Sequence, residues 1–145
     1  MNTEQDLFRK KKIIYTAQSK HFYYAKMFIC KYTLEQNAVP LNPFNIWSYF
    51  MNDTVDRDSV RCGNNNIVRI SDEVWVFGPI ANGVYNEILY AQSLNKPLKF
   101  FSLGSSLDCI KPIEINQLLF EECVSKDERE TLKKAMQLYA NLQSQ

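Results

Sequence analysis

Apolar positions along this chain switch repeatedly between the spacing of a strand and that of a helix. Residues 12–17 (KIIYTA) are β-branched and aromatic and predict a first strand. In the following stretch, 20–37, Phe22, Ala25, Phe28, Ile29 and Tyr32 recur at helical spacing. A short second strand is predicted at 38–41 (AVPL), closed by Asn42-Pro43 because proline restricts the residue before it and cannot extend a ladder. A loop or short helix runs through 44–51. Over 57–70 the spacing of Val60, Ile67 and Val68 predicts a helix, which Gly63 weakens. The segment 73–77 (EVWVF) is nearly continuous in apolar character, as expected of a central strand covered on both faces.

Gly78-Pro79 interrupts that strand, and Asn82-Gly83 is expected to turn the chain and cap a helix over 84–94, which Asn95-Lys96-Pro97 ends. Residues 98–103 (LKFFSL) predict another strand, followed by a Gly104-Ser105-Ser106 loop and a late edge strand at 113–115. Ser125-x-x-Glu128 is a capping box ahead of a helix with Leu132, Ala135, Met136, Tyr139 and Leu142 on one side. Strands alternating with helices imply crossover connections and a parallel sheet. The expected fold is therefore α/β, a three-layer Rossmann-like (flavodoxin-like) sandwich with a mainly parallel sheet of four to five strands. One domain is expected over 1–145, with 1–11 as a flexible flank.

Composition narrows the function. A net charge of +1 supplies no field to draw in polymeric nucleic acid or an anionic membrane surface. The four cysteines Cys30, Cys62, Cys109 and Cys123 form no C-x-x-C pair and His21 is the only histidine, so no metal site and no cofactor are expected. With no signal-like or membrane-length apolar run, a cytoplasmic protein acting on a small molecule is the expectation.

Ligands of open α/β sheets bind beyond the carboxyl ends of the strands. Three segments are expected to meet there: Ala17-Gln18-Ser19, residues 42–45 and residues 78–83. Glu87 falls on the apolar arc of its helix with Val84, Ile88 and Ala91, which turns a carboxylate toward the sheet. Burying that charge costs several kcal/mol unless a partner or ligand compensates. A capping or surface glutamate is the competing reading. Asn64 shares a stripe with Val60, Ile67 and Val68 and would also point inward, unless Gly63-Asn64-Asn65-Asn66 is a solvated loop. His21, without a paired serine or cysteine, is a weaker candidate, as are Tyr23, Tyr24 and Trp47 as stacking partners for a base. Lys10 to Lys12 reads as a solvated flank, and neither a dinucleotide nor a triphosphate loop motif occurs.

From Ile13 to Phe101 the chain resembles the nucleoside 2-deoxyribosyltransferase-like proteins, which include deoxynucleoside monophosphate N-glycosidases and relatives in phage and bacteria. The resemblance is carried by SDEVWVFGPIANGVYNEILYAQSLNKPLKFF (71–101), by IIYTAQS (13–19) and by NPF (42–44). It implies that Glu87 is a nucleophile attacking the anomeric carbon, that Tyr15 is a strand tyrosine of the pocket, and that Ala17, Gln18, Ser19, Phe44, Gly78, Asn82 and Gly83 contact the substrate. The family's second carboxylate lies eight residues before the strand's leading aspartate, here Asp72, and that position holds Asn64. Many members have glycine where this chain has Gln18. Asp56 or Asp58 is the alternative source of the missing carboxylate.

The resemblance therefore implies an N-glycosidic-bond hydrolase or transferase for a nucleoside or nucleotide. The alternative is a non-catalytic nucleotide-binding protein, a sensor or sponge for a nucleotide or an ADP-ribose-like signal. A third possibility is a scaffold that works through its aromatic 44–51 segment and its C-terminal helix. The family's pockets are often completed by a neighbouring subunit, which implies a homo-oligomer. Trp47, Tyr49 and Phe50 are either its interface or ordinary core.

Overall fold

The structure is a computed structural model that describes residues 4–48, 51, 53–104 and 109–143, with 142 and 143 as backbone only. Five strands form one sheet in the order β2-β1-β3-β4-β5: β1 (Ile13–Gln18), β2 (Val39–Leu41), β3 (Glu73–Phe77), β4 (Leu98–Leu103) and β5 (Ile110–Pro112). The first four are parallel, and β5 runs antiparallel to β4 with Ser102 opposite Lys111. Among the described residues five α-helices accompany them: α1 (Lys26–Glu35), α2 (Pro43–Trp47), α3 (Arg57–Ile70), α4 (Asn82–Ser93) and α5 (Lys126–Gln143). This is the flavodoxin-like α/β arrangement, and its strand order reverses between β1 and β3.

The two faces of the sheet carry separate cores. On one, Ile14, Trp75, Phe77 and Phe101 pack against Ala25 and Ile29, the latter from α1. Phe77 and Phe101 stack with ring centroids 4.8 Å apart, and Tyr32 meets Phe101 edge-on at 5.3 Å, a geometry in which the positive ring edge faces the partner's negative face. On the other face, Tyr15, Ala17, Val74 and Val76 meet Val68 of α3, Val84 and Ile88 of α4, and Leu132 and Met136 of α5. β3 is buried along its whole length, which explains its unbroken apolar run.

Several elements differ from expectation for identifiable reasons. The first helix begins as a 3₁₀ segment, Lys20–Ala25, because Phe22 leaves helical geometry at φ −112°, ψ 25°. Ser19 caps it by accepting from the His21 amide. Asn82 and Gly83 do not cap α4; Ala81 occupies that position, and Asn82 opens the helix itself. The edge strand is Ile110–Pro112, not 113–115: Glu114 and Gln117 form a capping box that turns the chain into a 3₁₀ helix at Ile115–Gln117. Residues 63–66 are not a loop, because α3 runs through them. Gly63 costs that helix about 1 kcal/mol against alanine, but a Cβ there would stand 2.9 Å from Trp47 Cζ2, so its absence lets the indole lie on α3.

Residues 4–8 of the expected flexible flank form a short 3₁₀ turn with no buried side chain. Lys12 is more than a solvated flank, since its Nζ donates to the buried Glu73 carboxylate at 2.7 Å. The expected capping box of the last helix is present, with Ser125 and Glu128 each accepting from the other's backbone. Ser105 and Ser106 of the predicted loop lie outside the described residues. No helix among the described residues is long and apolar enough to cross a membrane.

Candidate functional site

The reversal of strand order places the carboxyl ends of β1 and β3 side by side, and the elements leaving β1, β2 and β3 surround that point. A cleft of ≈ 70 Å³ lies there. Gln18 at the end of β1 and Phe44 and Trp47 of α2 form part of its wall, while Val60 and Asn64 of α3, one turn apart, and Glu87 of α4 complete it with Met51.

α4 brings Glu87 inward because Val84, Ile88 and Ala91 on the same arc are buried against the sheet. Glu87 retains an intermediate exposure, yet protein surrounds its carboxyl so fully that desolvation drives its pKa up to about 8, despite a lowering contribution from Tyr15. Tyr15 is fully buried, and burial followed by the charge of Glu87 raises its phenol well above the ordinary value. The two groups are close enough to perturb each other's ionisation, but Tyr15 Oη has no well-formed hydrogen bond to any described residue. A buried phenol without a well-formed hydrogen bond costs about 1–3 kcal/mol and is uncommon, so its position beside a desolvated carboxyl marks the spot.

The other walls are held by their own hydrogen bonds. Asn42 caps α2 by accepting from the Phe44 amide at 3.0 Å, and its Nδ2 donates to Thr16 Oγ1 at 3.0 Å and Gln18 Oε1 at 2.6 Å. Gln18 Nε2 in turn donates to the Phe22 carbonyl. Gln18 is thereby committed to structure on both ends of its amide. Trp47 Nε1 donates to Asn64 Oδ1 at 2.8 Å. Asn42 lies in the 42–45 segment expected at the site but was not singled out as a site residue; the Asn-Pro step that closes β2 was its signal, an asparagine cap with proline at the first helical position.

Of the residues expected to contact a ligand, the structure brings Gln18, Phe44, Asn64 and Glu87 to one cleft with Tyr15 beneath it. The others lie elsewhere. Ala17 is a fully buried core residue, because successive strand residues alternate faces and it packs with Val76. Ser19 Oγ is occupied, donating to Glu121 Oε1 at 2.5 Å, and the same oxygen meets His21 Nδ1 at 3.0 Å. Gly78, at φ +79°, turns the chain against Leu103, and Asn82 and Gly83 are exposed outside the cleft at the start of α4. Asp56 and Asp58 are exposed at the outer start of α3, Asp58 pairing with Arg61, so neither replaces a carboxylate at Asn64. Tyr23 packs edge-on against Phe44, Tyr24 is exposed, and Tyr49 and Phe50 lie outside the described residues.

A larger groove of ≈ 680 Å³ lies along the outer side of β4, lined by Tyr32, Trp75, Lys99, Ile113 and Met136 among others. No buried acidic or basic side chain lines it, so size alone does not make it the chemical centre. Among the described residues no cluster of three His, Cys, Asp or Glu side chains is placed to hold a metal ion.

Residues 15–101, more than half of the chain, match the model of a family described as Domain of unknown function (DUF7768). The chain belongs to the DUF7768 family. The matched span opens at Tyr15 and closes at Phe101, so it holds the whole cleft and ends within β4. A solved structure, a 2-desoxiribosyltransferase from Leishmania mexicana, is 24% identical with a TM-score of 0.47. That match covers 64% of this DUF7768 chain and 65% of the other, so the chain spans less than two thirds of that protein's length. No curated protein matches the sequence.

Proposed function

We propose that this DUF7768 protein binds a nucleoside or nucleotide in the Glu87 cleft and cleaves or exchanges its N-glycosidic bond. The observation that carries the reading is a desolvated carboxyl in a cleft at the reversal of strand order, coupled to a buried phenol whose hydroxyl makes no well-formed hydrogen bond. In the proposed step the ionised Glu87 attacks the anomeric carbon. The C–N bond breaks, and the base leaves with the bonding pair and takes up a proton. A glycosyl ester of Glu87 results, and water or a second base displaces the carboxylate to release the sugar product. The transition state resembles an oxocarbenium ion, which a nearby negative charge stabilises.

Two features shape this chemistry. A carboxyl at about 8 is mostly protonated at neutral pH, so the nucleophilic form grows as pH rises toward that value. The cleft is far smaller than the roughly 300–1,000 Å³ of pockets that enclose a small ligand, so admission of a nucleoside requires the cleft to widen.

The second reading, a nucleotide-binding protein without catalysis, draws on Asn64: an amide can hydrogen-bond a hydroxyl but is no general base, a contribution worth about 100- to 10,000-fold in rate. Incubation with a panel of nucleosides and nucleotides, followed by chromatography for free base, separates the two. Base release that rises from pH 6 to 8 and is lost in Glu87→Ala supports catalysis. Nucleotide binding with every substrate intact supports the second reading, and neither binding nor release overturns both.

A further inference from the structure

Trp47 and Asn64 meet across the cleft from different elements, and their contact determines what the cleft offers a ligand. The indole Nε1–H is a donor and never an acceptor. The atom of the Asn64 amide that faces it at 2.8 Å must therefore be the carbonyl oxygen, which leaves Nδ2 and its two N–H groups as the free branch. Nδ2 donates to none of the described residues. The indole itself is seated by Gly63, where any Cβ would be 2.9 Å from the ring, so helix geometry and ring position jointly hold the amide in one orientation.

We propose that Trp47 is a positioning residue for the cleft, holding Asn64 with its Nδ2 donors available so that the site engages an acceptor oxygen of its ligand. The proposal rests on the nucleoside reading for the identity of that oxygen, a sugar hydroxyl used through its lone pair. It also gives the asparagine a role that a carboxylate at the same position would lack. A carboxylate would accept the indole N–H equally well but would turn a second acceptor toward the ligand. With Asn64, a sugar hydroxyl that accepts from Nδ2 keeps its own proton for another partner. Trp47 thus acts on the ligand only through Asn64, and that dependence is measurable.

The test is a double-mutant cycle with full-length protein, using 2′-deoxyadenosine and its 5′-monophosphate as probes and dissociation constants from titration. Trp47→Phe keeps a ring against Gly63 and removes the donor; Asn64→Ala removes the amide and suits a helix. Each single variant is expected to weaken binding about tenfold, and the double variant to bind no more weakly than Asn64→Ala. Additive losses, or full affinity in Trp47→Phe, would overturn the proposal. A second readout needs no ligand: in ¹⁵N spectra the indole N–H signal lost in Trp47→Phe is assigned to Trp47, and Asn64→Ala should shift it and speed its solvent exchange at least tenfold. An unmoved indole signal overturns the positioning role. Should wild type bind neither probe, the nucleoside reading fails on its own, while the indole signal still decides whether Trp47 orients Asn64.

Discussion

Glu87→Gln removes ionisation from the cleft while nearly preserving the shape of the side chain, so it isolates the electrostatic cost of the carboxylate. In an unfolded chain a glutamate titrates at its ordinary value of 4.5, whereas in the folded protein Glu87 titrates at about 8. Below 4.5 both states hold the proton and the group is neutral toward stability. Between 4.5 and 8 the unfolded state releases the proton and the folded state keeps it, so stability falls as pH rises through this window and levels off above it. At about 1.4 kcal/mol per pH unit, the full interval corresponds to roughly 5 kcal/mol. Because Glu87 keeps partial contact with solvent, water and local relaxation recover some of this, and about 2–4 kcal/mol is the expected loss.

Urea unfolding of wild type and Glu87→Gln at pH 5 and at pH 9 measures it. The two proteins should differ by less than about 1 kcal/mol at pH 5, where the unfolded carboxyl has begun to ionise, and the variant should exceed wild type by about 2–4 kcal/mol at pH 9. Parallel pH dependences would refute the reasoning, because they would mean that Glu87 titrates alike in both states. The same physics sets activity against stability, since the ionised form required for attack on a sugar is the form that the fold disfavours.

Two further outcomes follow from the scaffold. Gly78→Ala forces a side chain into φ +79° and to within 2.9 Å of Leu103, so unfolding free energy should drop by about 2 kcal/mol in urea titrations at neutral pH. Glu73 is buried, and although desolvation pushes its pKa up, hydrogen bonds from Lys12 and Trp75 and the charge of Lys99 outweigh it and leave the pKa below the ordinary value. Its contribution is present above 4.5 and lost as pH falls through its lowered folded value, so Glu73→Gln should cost about 1–2 kcal/mol at pH 7. That deficit should shrink toward zero in calorimetric scans carried down to pH 3.

Local sequence was most informative where one residue type has one physical solution. The β3 segment 73–77 has no polar alternation, and only a strand covered on both faces accommodates that, which is what the sheet shows. Ser125 and Glu128 name a helix start because each satisfies a backbone donor of the other. The inward direction of Glu87 was legible for the same reason: at 100° per residue it cannot leave the arc of Val84, Ile88 and Ala91 while those three are buried.

What pattern could not supply was any relation between distant segments. Ser19 resembled a ligand contact until Glu121, more than a hundred residues away, was found to occupy its hydroxyl. Gly63 argued against a helix until the Trp47 ring was found in the space of its missing side chain. Lys12 is solvated as expected, but nothing nearby in sequence shows that β3 buries a carboxylate within its reach. Periodicity is a property of one element and survives any packing, so the chain by itself determined the four parallel strands, most helices and the facing of Glu87, but not the position of the edge strand β5. Hydrogen-bond partners depend on which elements the fold brings together, so only the tertiary structure decided that Tyr15 lies against Glu87 without a well-formed hydrogen bond, that Asn64 has Trp47, and that Gly78, Asn82 and Gly83 lie outside the cleft.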